Sequence, residues 1–357
     1  MLDDFFSGKK VLVTGHSGFK GSWLSEMLLL MGSDVAGYSL SPNTDPNLFS
    51  ILGLEKKVKN HFADIRDYKK VLGVMKEERP EIVIHMAAQP LVRDSYDDPV
   101  YTYETNLIGT VNALQAMKEA GCAKAAVMIT TDKVYENKES GTPFKEDDKL
   151  GGYDPYSASK ACAEIAIGSY INSFFNPEKF GISHNTLIAS ARAGNVMGGG
   201  DWSKDRLVPD MMRAFYEKKE TLLVRNPDAV RPWQHVLDPL YGYLLLAKKL
   251  HEGKKDFVGA WNFAPETSNC ISVEELVKKA VKDIGGDYAV KADAGKHEMK
   301  TLRLDAAKAK KRLAWKPTFG MDQCLERTFG WYKNFYGRKQ GMKDYTDQQI
   351  REYMDGR

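Results

Sequence analysis

The chain lacks the clustered positive charge of a nucleic-acid-binding protein. Its 357 residues contain 51 Lys and Arg and 48 Asp and Glu, a net charge of +3, and these charges are spread along the whole length without a basic arm or block. Binding to a phosphate backbone requires cations gathered on one surface or segment. The charge pattern therefore does not suggest nucleic acid as a partner.

Long apolar runs are also missing. The N-terminal stretch MLDDFFSGKK is acidic and lacks the basic and apolar regions of a secretory signal. The apolar stretch WLSEMLLLMG, residues 23–32, is too short to cross a bilayer and contains Glu26. We therefore expect no membrane association and a cytoplasmic location.

Cysteine is scarce and scattered. Cys122, Cys162, Cys270 and Cys324 lie far apart, with no C-x-x-C pair and no nearby histidine of the kind that forms a zinc site. We expect free thiols in a reducing cytosol and no bound metal. Internal repeats and low-complexity tracts are absent as well, so the chain is expected to fold as an ordinary globular protein.

What the sequence does contain is an alternation of short apolar runs and longer helical segments through about residue 190. The predicted strands are residues 9–15, 34–39, 81–88 and 123–131, and the predicted helices are residues 21–32, 67–78, 106–121 and 156–174. Strands that are apolar on both faces, separated by helices long enough for crossover connections, indicate a parallel sheet. The predicted fold class is therefore α/β, with a Rossmann-type doubly wound parallel sheet.

The pattern changes after ARAGNVMGGGDW, residues 191–202, where glycine clusters, isolated tryptophans and short helices follow. We predict a first domain over residues 1–190 and a smaller mixed α/β domain over residues 191–357 that closes over the edge of the sheet. Nothing between residues 185 and 200 resembles a flexible linker. The predicted boundary is therefore soft, with some chain crossing back.

A glycine loop connects the first predicted strand to the first predicted helix. Gly15, Gly18 and Gly21 have the spacing G-x-x-G-x-x-G. Glycine lets the backbone turn tightly and approach a pyrophosphate, while the helix N-terminus supplies free N–H groups and a favourable dipole. Because the loop follows a strand and opens a helix, it predicts a dinucleotide-binding site.

The end of the second predicted strand departs from the usual pattern of NAD sites. An acidic residue usually binds the ribose hydroxyls there, but this chain has Ser39. An NADP site would need a nearby arginine, and none occurs between residues 39 and 65, although Lys20 in the glycine loop could take that part. The sequence favours NAD over NADP, and the missing carboxylate predicts weak retention of NAD.

Tyr156 and Lys160, in YSASK, stand four residues apart on a predicted helix and project from one face. A tyrosine held near an ammonium has a lowered pKa, and it can exchange a proton with a carbinol oxygen while hydride moves to a nicotinamide. The pair predicts oxidoreductase chemistry at the dinucleotide.

These residues resemble the extended short-chain dehydrogenase/reductase family over nearly the whole chain. The motifs that carry the resemblance are TGHSGFKG, ADIRD, HMAAQ, NLIGT, TTD and YSASK. The resemblance implies that Thr131 takes the place of the catalytic Ser/Thr of the family, and it gives no catalytic part to His85. The cofactor contacts that it implies are Gly15, Gly18, Phe19, Lys20, Gly21, Asp64, Ile65, Ala87, Ala88, Asn106, Tyr156 and Lys160.

Asp132 and Lys133 follow Thr131 directly, where nucleotide-sugar 4,6-dehydratases of this family carry two further groups, usually Asp-Glu. Oxidation of C4 of a hexose acidifies the C5 proton, so a base must take that proton and an acid must protonate the departing C6 hydroxyl. We assign Asp132 as the general acid and Lys133 as the base or its proton-relay partner. A surface ion pair at a strand end is the alternative interpretation.

Four longer runs resemble the branch of these dehydratases that acts on CDP-glucose: TGHSGFKGSWL, TTDKVYEN, ARAGNVMGGGDWSKDRLVPD and RPWQHVLDPLYGY. The resemblance implies CDP-glucose as the substrate and NAD as the cofactor. The implied substrate contacts are Asn195, Trp202, Arg206, Leu207, Arg231, His235 and Arg303. Arg231 and Arg303 are suited to clamp a pyrophosphate through charge-assisted hydrogen bonds.

The resulting prediction is a lyase that makes a 4-keto-6-deoxy sugar nucleotide for deoxysugar biosynthesis, such as that of lipopolysaccharide O-antigen. One alternative is a nucleotide-sugar epimerase or dehydrogenase of the same fold, in which Asp132 and Lys133 are incidental. Another is a dinucleotide-sensing regulatory protein. The resemblance also implies a homodimer or homotetramer paired through helices near residues 97–121 and 156–174, although packing on the sheet explains their apolar residues equally well.

Overall fold

The computed structural model of the chain describes residues 2–137, 139, 141–291, 302–338 and 340–357. The strands in this part of the chain are β1 (Lys10–Thr14), β2 (Asp34–Ser39), β3 (Lys59–Phe62), β4 (Ile82–His85), β5 (Ala125–Ile129), β6 (Leu187–Ala193), β7 (Val196–Met197), β8 (Leu222–Val224), β9 (Val230–Pro232), β10 (Gln234–His235), β11 (Gly259–Phe263), β12 (Cys270–Ser272) and β13 (Tyr288–Val290).

Helices cover both faces of the main sheet and build the C-terminal part. They are α1 (Leu2–Phe6), α2 (Phe19–Leu30), α3 (Leu48–Ile51), α4 (Tyr68–Glu78), α5 (Val92–Asp97), α6 (Pro99–Tyr103), α7 (Gly109–Ala120), α8 (Pro155–Ser173), α9 (Leu207–Met212), α10 (Leu237–His251), α11 (Val273–Ile284), α12 (Ala307–Leu313), α13 (Met321–Arg338) and α14 (Met342–Asp355). None of the helices within the described ranges is long and apolar enough to span a membrane.

The main sheet confirms the predicted doubly wound α/β fold. Within the described residues it contains seven strands in the order β11-β6-β5-β4-β1-β2-β3, and all neighbouring pairs are parallel. The strand order reverses at β1, which pairs with β2 on one side and with β4 on the other. In sheets of this kind, ligands bind in the crevice beyond the carboxyl ends of the strands at that point.

Both faces of the sheet are buried, as the continuous apolar strands predict. In β1, Val11 and Val13 belong to one hydrophobic cluster, whereas Leu12 belongs to the cluster on the opposite face. All three side chains are no more than 1% exposed. Each buried aliphatic side chain of this size contributes about 1.5–3 kcal/mol through removal from water, so the sheet forms the centre of the core.

The eight strands and helices that the sequence predicted all correspond to observed elements to within a few residues, but other elements were not predicted. The sequence analysis missed β3, and it missed β6, which runs through residue 190 where the first domain was predicted to end. The predicted helix over residues 106–121 is a π-helical segment, Glu104–Ile108, followed by α7. From the C-terminal half, β11 pairs with β6 and completes the sheet, so the chain crosses back into it. The two-domain division itself remains a prediction.

The C-terminal part is attached to the first helix layer by close packing. The indole N–H of Trp23 in α2 donates to the carbonyl of Gly199 at 3.0 Å. A Cβ atom at Gly199 would lie 2.0 Å from the ring of Trp331 in α13, so only glycine fits at this crossing. The segment after β6 is thereby held over the carboxyl ends of the strands.

Candidate active site

The glycine loop is shaped by two close backbone approaches. Gly15, directly after β1, has φ +75°, and a Cβ atom there would lie 2.8 Å from the backbone nitrogen of Ala87. A Cβ atom on Gly21 would lie 2.1 Å from the carbonyl oxygen of Gly15. Both positions therefore need glycine, because a larger residue would separate the loop from β4 or from α2.

Gly18 leaves the start of α2 open. It is the N-cap residue, it has no side-chain capping bond, and it is exposed. The first N–H groups of a helix bind anions when no side chain caps them. Phe19 and Lys20 form the first turn of the helix. The loop therefore fits the pyrophosphate of a dinucleotide.

A neutral hydrogen-bond network occupies the ribose end of the predicted cofactor site. The Ser39 hydroxyl donates to Ser17 Oγ at 2.8 Å and lies 3.0 Å from His16 Nδ1. His16 Nε2 bonds to Asn60 Oδ1 at 2.9 Å, and burial lowers the pKa of His16 to about 4, so the ring is neutral at pH 7. These groups suit the uncharged ribose hydroxyls of NAD.

Lys20 does not reach the ribose end, which corrects the interpretation that it could bind the extra phosphate of NADP. Its ammonium donates to the Tyr243 hydroxyl in α10 at 3.4 Å and lies 5.5 Å from the centre of that ring. Burial lowers the pKa of Lys20 to about 7, assisted by the charges of Arg206 and Lys160 and opposed by Asp132. Lys20 therefore belongs to the catalytic end of the crevice.

The loop after β4 is held in place by Asn106. The side-chain oxygen of Asn106 accepts from the backbone N–H of Gln89 at 2.9 Å, and its amide donates to the Gln89 carbonyl and to the Ser159 hydroxyl. Asn106 is fully buried. It therefore positions the half-buried Ala87 and Ala88 between the glycine loop and α8.

His85 and the residues predicted to flank adenine are also tied into the scaffold. His85 lies between the hydroxyls of Thr14 and Thr110, and burial lowers its pKa to about 3, so it is a neutral strand residue. Partial burial acts to raise the pKa of Asp64, but hydrogen bonds from Arg66 lower it overall. The buried Ile65 lies where a side chain on Gly109 would collide with it.

Thr131 connects Asp132 to Tyr156. Its hydroxyl donates to Asp132 Oδ1 at 3.0 Å, and it also hydrogen-bonds to the phenol of Tyr156. Burial raises the pKa of Tyr156 to about 12, and the hydrogen bond with Thr131 opposes that rise. The expectation that a nearby ammonium lowers this pKa is therefore wrong for this structure, because burial outweighs the other influences.

Lys160 is buried one helical turn beyond Tyr156. Its ammonium donates to the carbonyl of Ile129 at 3.1 Å. Burial lowers the pKa of Lys160 to about 8, and the carboxylate of Glu164 opposes that change. The ammonium is thus anchored to the end of β5, beside the segment that carries Thr131.

Asp132 and Lys133 form an ion pair next to Thr131. Lys133 Nζ lies 3.6 Å from Asp132 Oδ1, with 24% of the lysine side chain exposed and 1% of the aspartate side chain exposed. Within the described part of the chain, Asp132 Oδ2 is buried without a hydrogen-bond partner. The charge of Asp132 acts on Tyr156, so its carboxylate faces the same crevice.

The predicted substrate residues fall into two groups, and the first borders this crevice. Arg206 is the N-cap of α9, which begins at Leu207; its guanidinium lies 3.6 Å from Asp201 Oδ2, and its charge acts on Tyr156. The carbonyl of the half-buried Asn195 accepts from the N–H of Gln234 at 3.2 Å.

Arg231 and Arg303, which are distant in sequence, both lie near the pairing of β9 with β12. Arg231 lies in β9 opposite Ile271 in β12, and the charge of Arg303 acts on the adjoining Cys270. Within the described residues, Arg303 Nε is buried without a hydrogen-bond partner. That the two arginines act on one anionic group remains a prediction.

The second group, His235 and Trp202, corrects the prediction of substrate contact. His235 is fully buried with its ring edge-to-face against Trp23 and Phe319, and burial lowers its pKa to about 3. Trp202 is 6% exposed and packs against Trp331 and other aromatic residues of α13. Both side chains are core residues, because α13 and the segment after α12 cover them.

The sequence analysis did not identify the buried residues that lie on the inner side of the catalytic groups. Glu164 in α8 and Arg192 in β6 form a buried ion pair, with Arg192 Nη2 2.8 Å from Glu164 Oε2. Tyr243 lies behind Lys20. A charged residue inside the apolar strand LIASARA was the available signal for Arg192, because buried charges are nearly always paired.

The parallel sheet, the glycine loop after β1 and the Thr131, Tyr156 and Lys160 set define an extended short-chain dehydrogenase/reductase. Residues 12–328 match the family described as GDP-mannose 4,6 dehydratase. The chain is 46% identical over 357 residues to a CDP-glucose 4,6-dehydratase of Salmonella typhimurium, with 99% of each chain covered. The chain therefore belongs to this dehydratase family of the extended short-chain dehydrogenases/reductases.

Solved structures share the fold. The dTDP-glucose 4,6-dehydratase DesIV of Streptomyces venezuelae, solved with NAD bound, superimposes with a TM-score of 0.78 at 23% identity, covering 94% of this chain and all of that one. The UDP-glucose 4-epimerase of Thermus thermophilus, in complex with NAD, gives a TM-score of 0.76 at 25% identity, covering 91% of this chain and 99% of that one. The fold therefore serves both dehydration and epimerisation among the solved structures.

Proposed function

We propose that the protein is an NAD-dependent hydro-lyase that converts CDP-glucose to CDP-4-keto-6-deoxyglucose. The observation that carries the proposal is the continuous contact from Tyr156 through Thr131 to the buried Asp132, with the ammonium of Lys133 3.6 Å further on. A 4-epimerase needs only the first two of these groups and Lys160. The identity to the Salmonella typhimurium enzyme supports CDP-glucose as the substrate.

The residues of the crevice fit NAD. Gly15, Gly18 and Gly21 make room for its pyrophosphate, and the neutral network around Ser39 suits its ribose hydroxyls. When bound, NAD would supply a reversible hydride acceptor for the transfer from C4 to C6 of the sugar, so the net redox change would be zero. We infer that Lys160, Ala87 and Ala88 hold its reactive end, with Asp64 and Ile65 near the adenine.

Tyr156 starts the reaction by accepting the proton of the C4 hydroxyl. The phenolate that does this work is disfavoured by burial, as the raised pKa of Tyr156 indicates. The hydrogen bond with Thr131 and the charge of Arg206 oppose that rise, and they therefore favour the phenolate. Proton transfer by a positioned group of this kind contributes about 10²–10⁴-fold to the rate.

Lys133 and Asp132 then carry out the elimination. The C4 ketone acidifies the proton on C5. Lys133 takes that proton or passes it to solvent across its exposed side, and a proton returns to C5 when hydride is delivered to C6. The carboxyl group of Asp132 protonates the C6 hydroxyl as it leaves as water. Because only the inner member of the pair is sealed from solvent, the acid faces the sugar and the base keeps a path for proton exchange.

The segment after β6 supplies the binding groups for the rest of the substrate. We infer that Arg231 and Arg303 bind the pyrophosphate of CDP-glucose, since both lie near the paired strands β9 and β12. Charge-assisted, bidentate bonds of arginine suit phosphate oxygens. Arg206, Asn195 and Leu207 line the approach to Tyr156.

We also propose a homodimer or homotetramer in which α7 and α8 of paired subunits pack together. Ile108, directly before α7, and Ile165 in α8 are 47% and 61% exposed, which leaves apolar area for a partner. The two-domain division, with the cofactor bound by residues 1–190 and the nucleotide sugar by residues 191–357, and a place in deoxysugar biosynthesis belong to the same proposal.

The test is incubation of the purified protein with NAD and CDP-glucose, followed by NMR of the product. We expect CDP-4-keto-6-deoxyglucose without accumulation of NADH, and lower kcat/KM with UDP-, GDP- and dTDP-glucose in parallel reactions. A C4 epimer, or net NADH formation, would replace the proposal with an epimerase or a dehydrogenase. Binding of NAD with no turnover of any of the four sugars would favour a dinucleotide sensor.

A further inference from the structure

A buried ion pair lies directly behind the catalytic residues and takes no part in the steps above. Glu164 in α8 and Arg192 in β6 are joined by two hydrogen bonds, from Arg192 Nε at 3.0 Å and from Arg192 Nη2 at 2.8 Å. Both side chains are 4% exposed. Such a pair is costly to bury, so its position requires an explanation beyond general stability.

The carboxylate of Glu164 is saturated with donors. Besides Arg192, the hydroxyl of Thr130 donates to its Oε1, and the hydroxyl of Ser190 donates to its Oε2 at 2.7 Å. Four donors hold both oxygens in place. The charge of Glu164 is therefore fixed in position, unlike that of a surface carboxylate.

The pair is hydrogen-bonded to the chain on both sides of residues 131–133, which we call the catalytic segment. On one side it holds Thr130 through the carboxylate of Glu164. On the other side, Arg192 Nη1 donates to the Tyr135 hydroxyl at 2.7 Å. One buried ion pair thus anchors the residue before Thr131 and the second residue after Lys133.

Further hydrogen bonds lead from Tyr135 to the chain that carries Arg303. The Tyr135 hydroxyl donates to Asn262 Oδ1 at 2.7 Å, and the amide of Asn262 donates to the carbonyls of Phe144 and Asp305. The backbone N–H of Phe144 in turn donates to the carbonyl of Arg303 at 2.9 Å. A run of hydrogen bonds therefore joins the catalytic segment to the backbone of Arg303.

The same carboxylate lies one helical turn from Lys160, where residues i and i+4 share a face. Glu164 is the charge that favours the protonated form of Lys160, against the effect of burial. The other titratable groups whose charge interacts with Lys160 are Lys20 from α2 and His85 from β4, and both are cationic when protonated, so they act in the opposite direction. Tyr156 lies one helical turn before Lys160 in α8.

We propose that Glu164 and Arg192 are positioning residues of the catalytic centre, which hold the catalytic segment in register with Arg303 and place a fixed negative charge one helical turn from Lys160. The inference rests on the proposed function for its kinetic consequences. Its claim about Lys160 concerns the protein alone, and it can be measured without any substrate.

The experiment compares Glu164→Gln with the wild type. Glutamine keeps oxygen and length but removes the charge that opposes deprotonation of Lys160, whose pKa is about 8. We expect the pH at which kcat declines on the alkaline side to move about one unit or more toward acid, which is about a five- to tenfold loss of kcat near pH 8. The KM for CDP-glucose should change less than about threefold, because Glu164 touches no substrate group.

A second readout needs no turnover. NMR of protein labelled with ¹³C at the lysine ε-carbons follows the titration of each lysine, and the Lys160→Met variant assigns the signal of Lys160. We expect the titration midpoint of Lys160 to fall in Glu164→Gln by the same number of pH units as the alkaline decline of kcat. If the wild type turns over no sugar nucleotide, the proposed function fails while this titration still decides the inference.

Two further variants separate the two parts of the proposal and guard against unfolding. Arg192→Lys keeps the charge but loses the paired bonds and the reach to Tyr135, so kcat should fall with the alkaline limb unmoved. The double variant Glu164→Gln/Arg192→Met leaves no unpaired buried charge. Its kcat should decline at the same alkaline pH as that of Glu164→Gln.

Asp238→Asn is the matched control. Asp238 forms another buried ion pair, with Arg357 Nη2 at 3.1 Å from its Oδ1, at the docking site of α14. It should lose stability with no change in the alkaline limb or in the Lys160 titration. A folded Glu164→Gln protein with the wild-type limb and the wild-type Lys160 midpoint would overturn the proposal, as would an equal shift in the Asp238 control.

Discussion

The carboxylate of Asp132 occupies the space that a side chain at Gly194 would need. A Cβ atom on Gly194 would lie 2.9 Å from Asp132 Oδ2 and 3.0 Å from Pro232 Cγ. The strand β6 ends at the residue before Gly194, so the absence of a side chain there lets the Asp132 carboxylate sit against the end of the sheet. This contact fixes where the proposed acid points.

Gly194→Ala is therefore expected to displace the acid without unfolding the protein. We predict a fall of kcat by about 10²-fold, the usual cost of moving a catalytic group by about 1 Å. Gly168→Ala in α8 is the control, because nothing lies within 4 Å of its Cβ position, and it should retain activity and gain up to about 1 kcal/mol of stability. Steady-state kinetics and urea unfolding check both. Unchanged kcat in Gly194→Ala would mean that the position of Asp132 does not matter.

Lys133→Ala tests the proposed base. Oxidation at C4 should continue, seen as absorbance of reduced cofactor, while entry of solvent deuterium at C5 should be lost because no group takes that proton. Mass spectrometry of the sugar after incubation in D₂O measures the exchange. Lys149→Ala, at a lysine whose side chain is 76% exposed and paired with Glu136, is the control. Exchange at the wild-type rate in Lys133→Ala would remove lysine from this role.

Asp132→Asn tests the proposed acid. Asparagine keeps an oxygen for the Thr131 hydroxyl, which donates to Asp132 Oδ1 at 3.0 Å, but it cannot protonate the leaving hydroxyl. We expect C4 oxidation and C5 exchange to persist while loss of water slows by about 10²–10⁴-fold. Rapid-quench analysis of the sugar should then reveal a 4-keto sugar that still carries its C6 oxygen. Loss of C4 oxidation instead would place Asp132 in the first step.

NAD is expected to dissociate during dialysis. The ribose end has the Ser39 hydroxyl, already bonded to Ser17 and His16, where a carboxylate would make two charge-assisted bonds. Absorbance and HPLC of the released nucleotide measure what remains after exhaustive dialysis. A protein that keeps one NAD per chain would contradict the weak-retention hypothesis.

Stability should decline as the pH falls below about 6.5. Burial lowers the pKa of His16 to about 4 and of His85 and His235 to about 3, so these rings are neutral in the folded protein. Unfolded histidine binds a proton below about 6.5, which favours the unfolded state by about 1.4 kcal/mol per pH unit for each ring until its folded pKa is reached. Urea unfolding between pH 7.5 and pH 5 measures the slope.

Replacing one of these rings should reduce the slope of the unfolding free energy against pH by about 1.4 kcal/mol per pH unit, which corresponds to one bound proton. His235→Phe fits the aromatic surroundings of Trp23 and Phe319 and is the variant of choice. His61→Gln is the control, since His61 lies near the surface and pairs with Glu78. A slope in His235→Phe equal to that of the wild type would show that His235 is already protonated in the folded protein.

The sequence by itself determined the class of fold and the chemistry of the crevice. Strands such as AAVMI and helices such as YSASKACAEIAIGSY have local patterns that specify their conformation, and the parallel order follows from their alternation. The glycine loop and Tyr156 with Lys160 are likewise local, because their spacing alone places them at the ends of elements. Local motifs of this kind need no knowledge of the rest of the fold.

Only the tertiary structure decided which distant side chains meet. The direction of Lys20 depends on Tyr243, more than two hundred residues away, and the burial of Trp202 and His235 depends on contacts with α13 and the segment before it. The pairing of Glu164 with Arg192 likewise joins a helix to a strand. Contacts of this kind result from packing between elements, which leaves no periodic pattern in the sequence. Residues of the same type therefore belong to the site in one place and to the core in another.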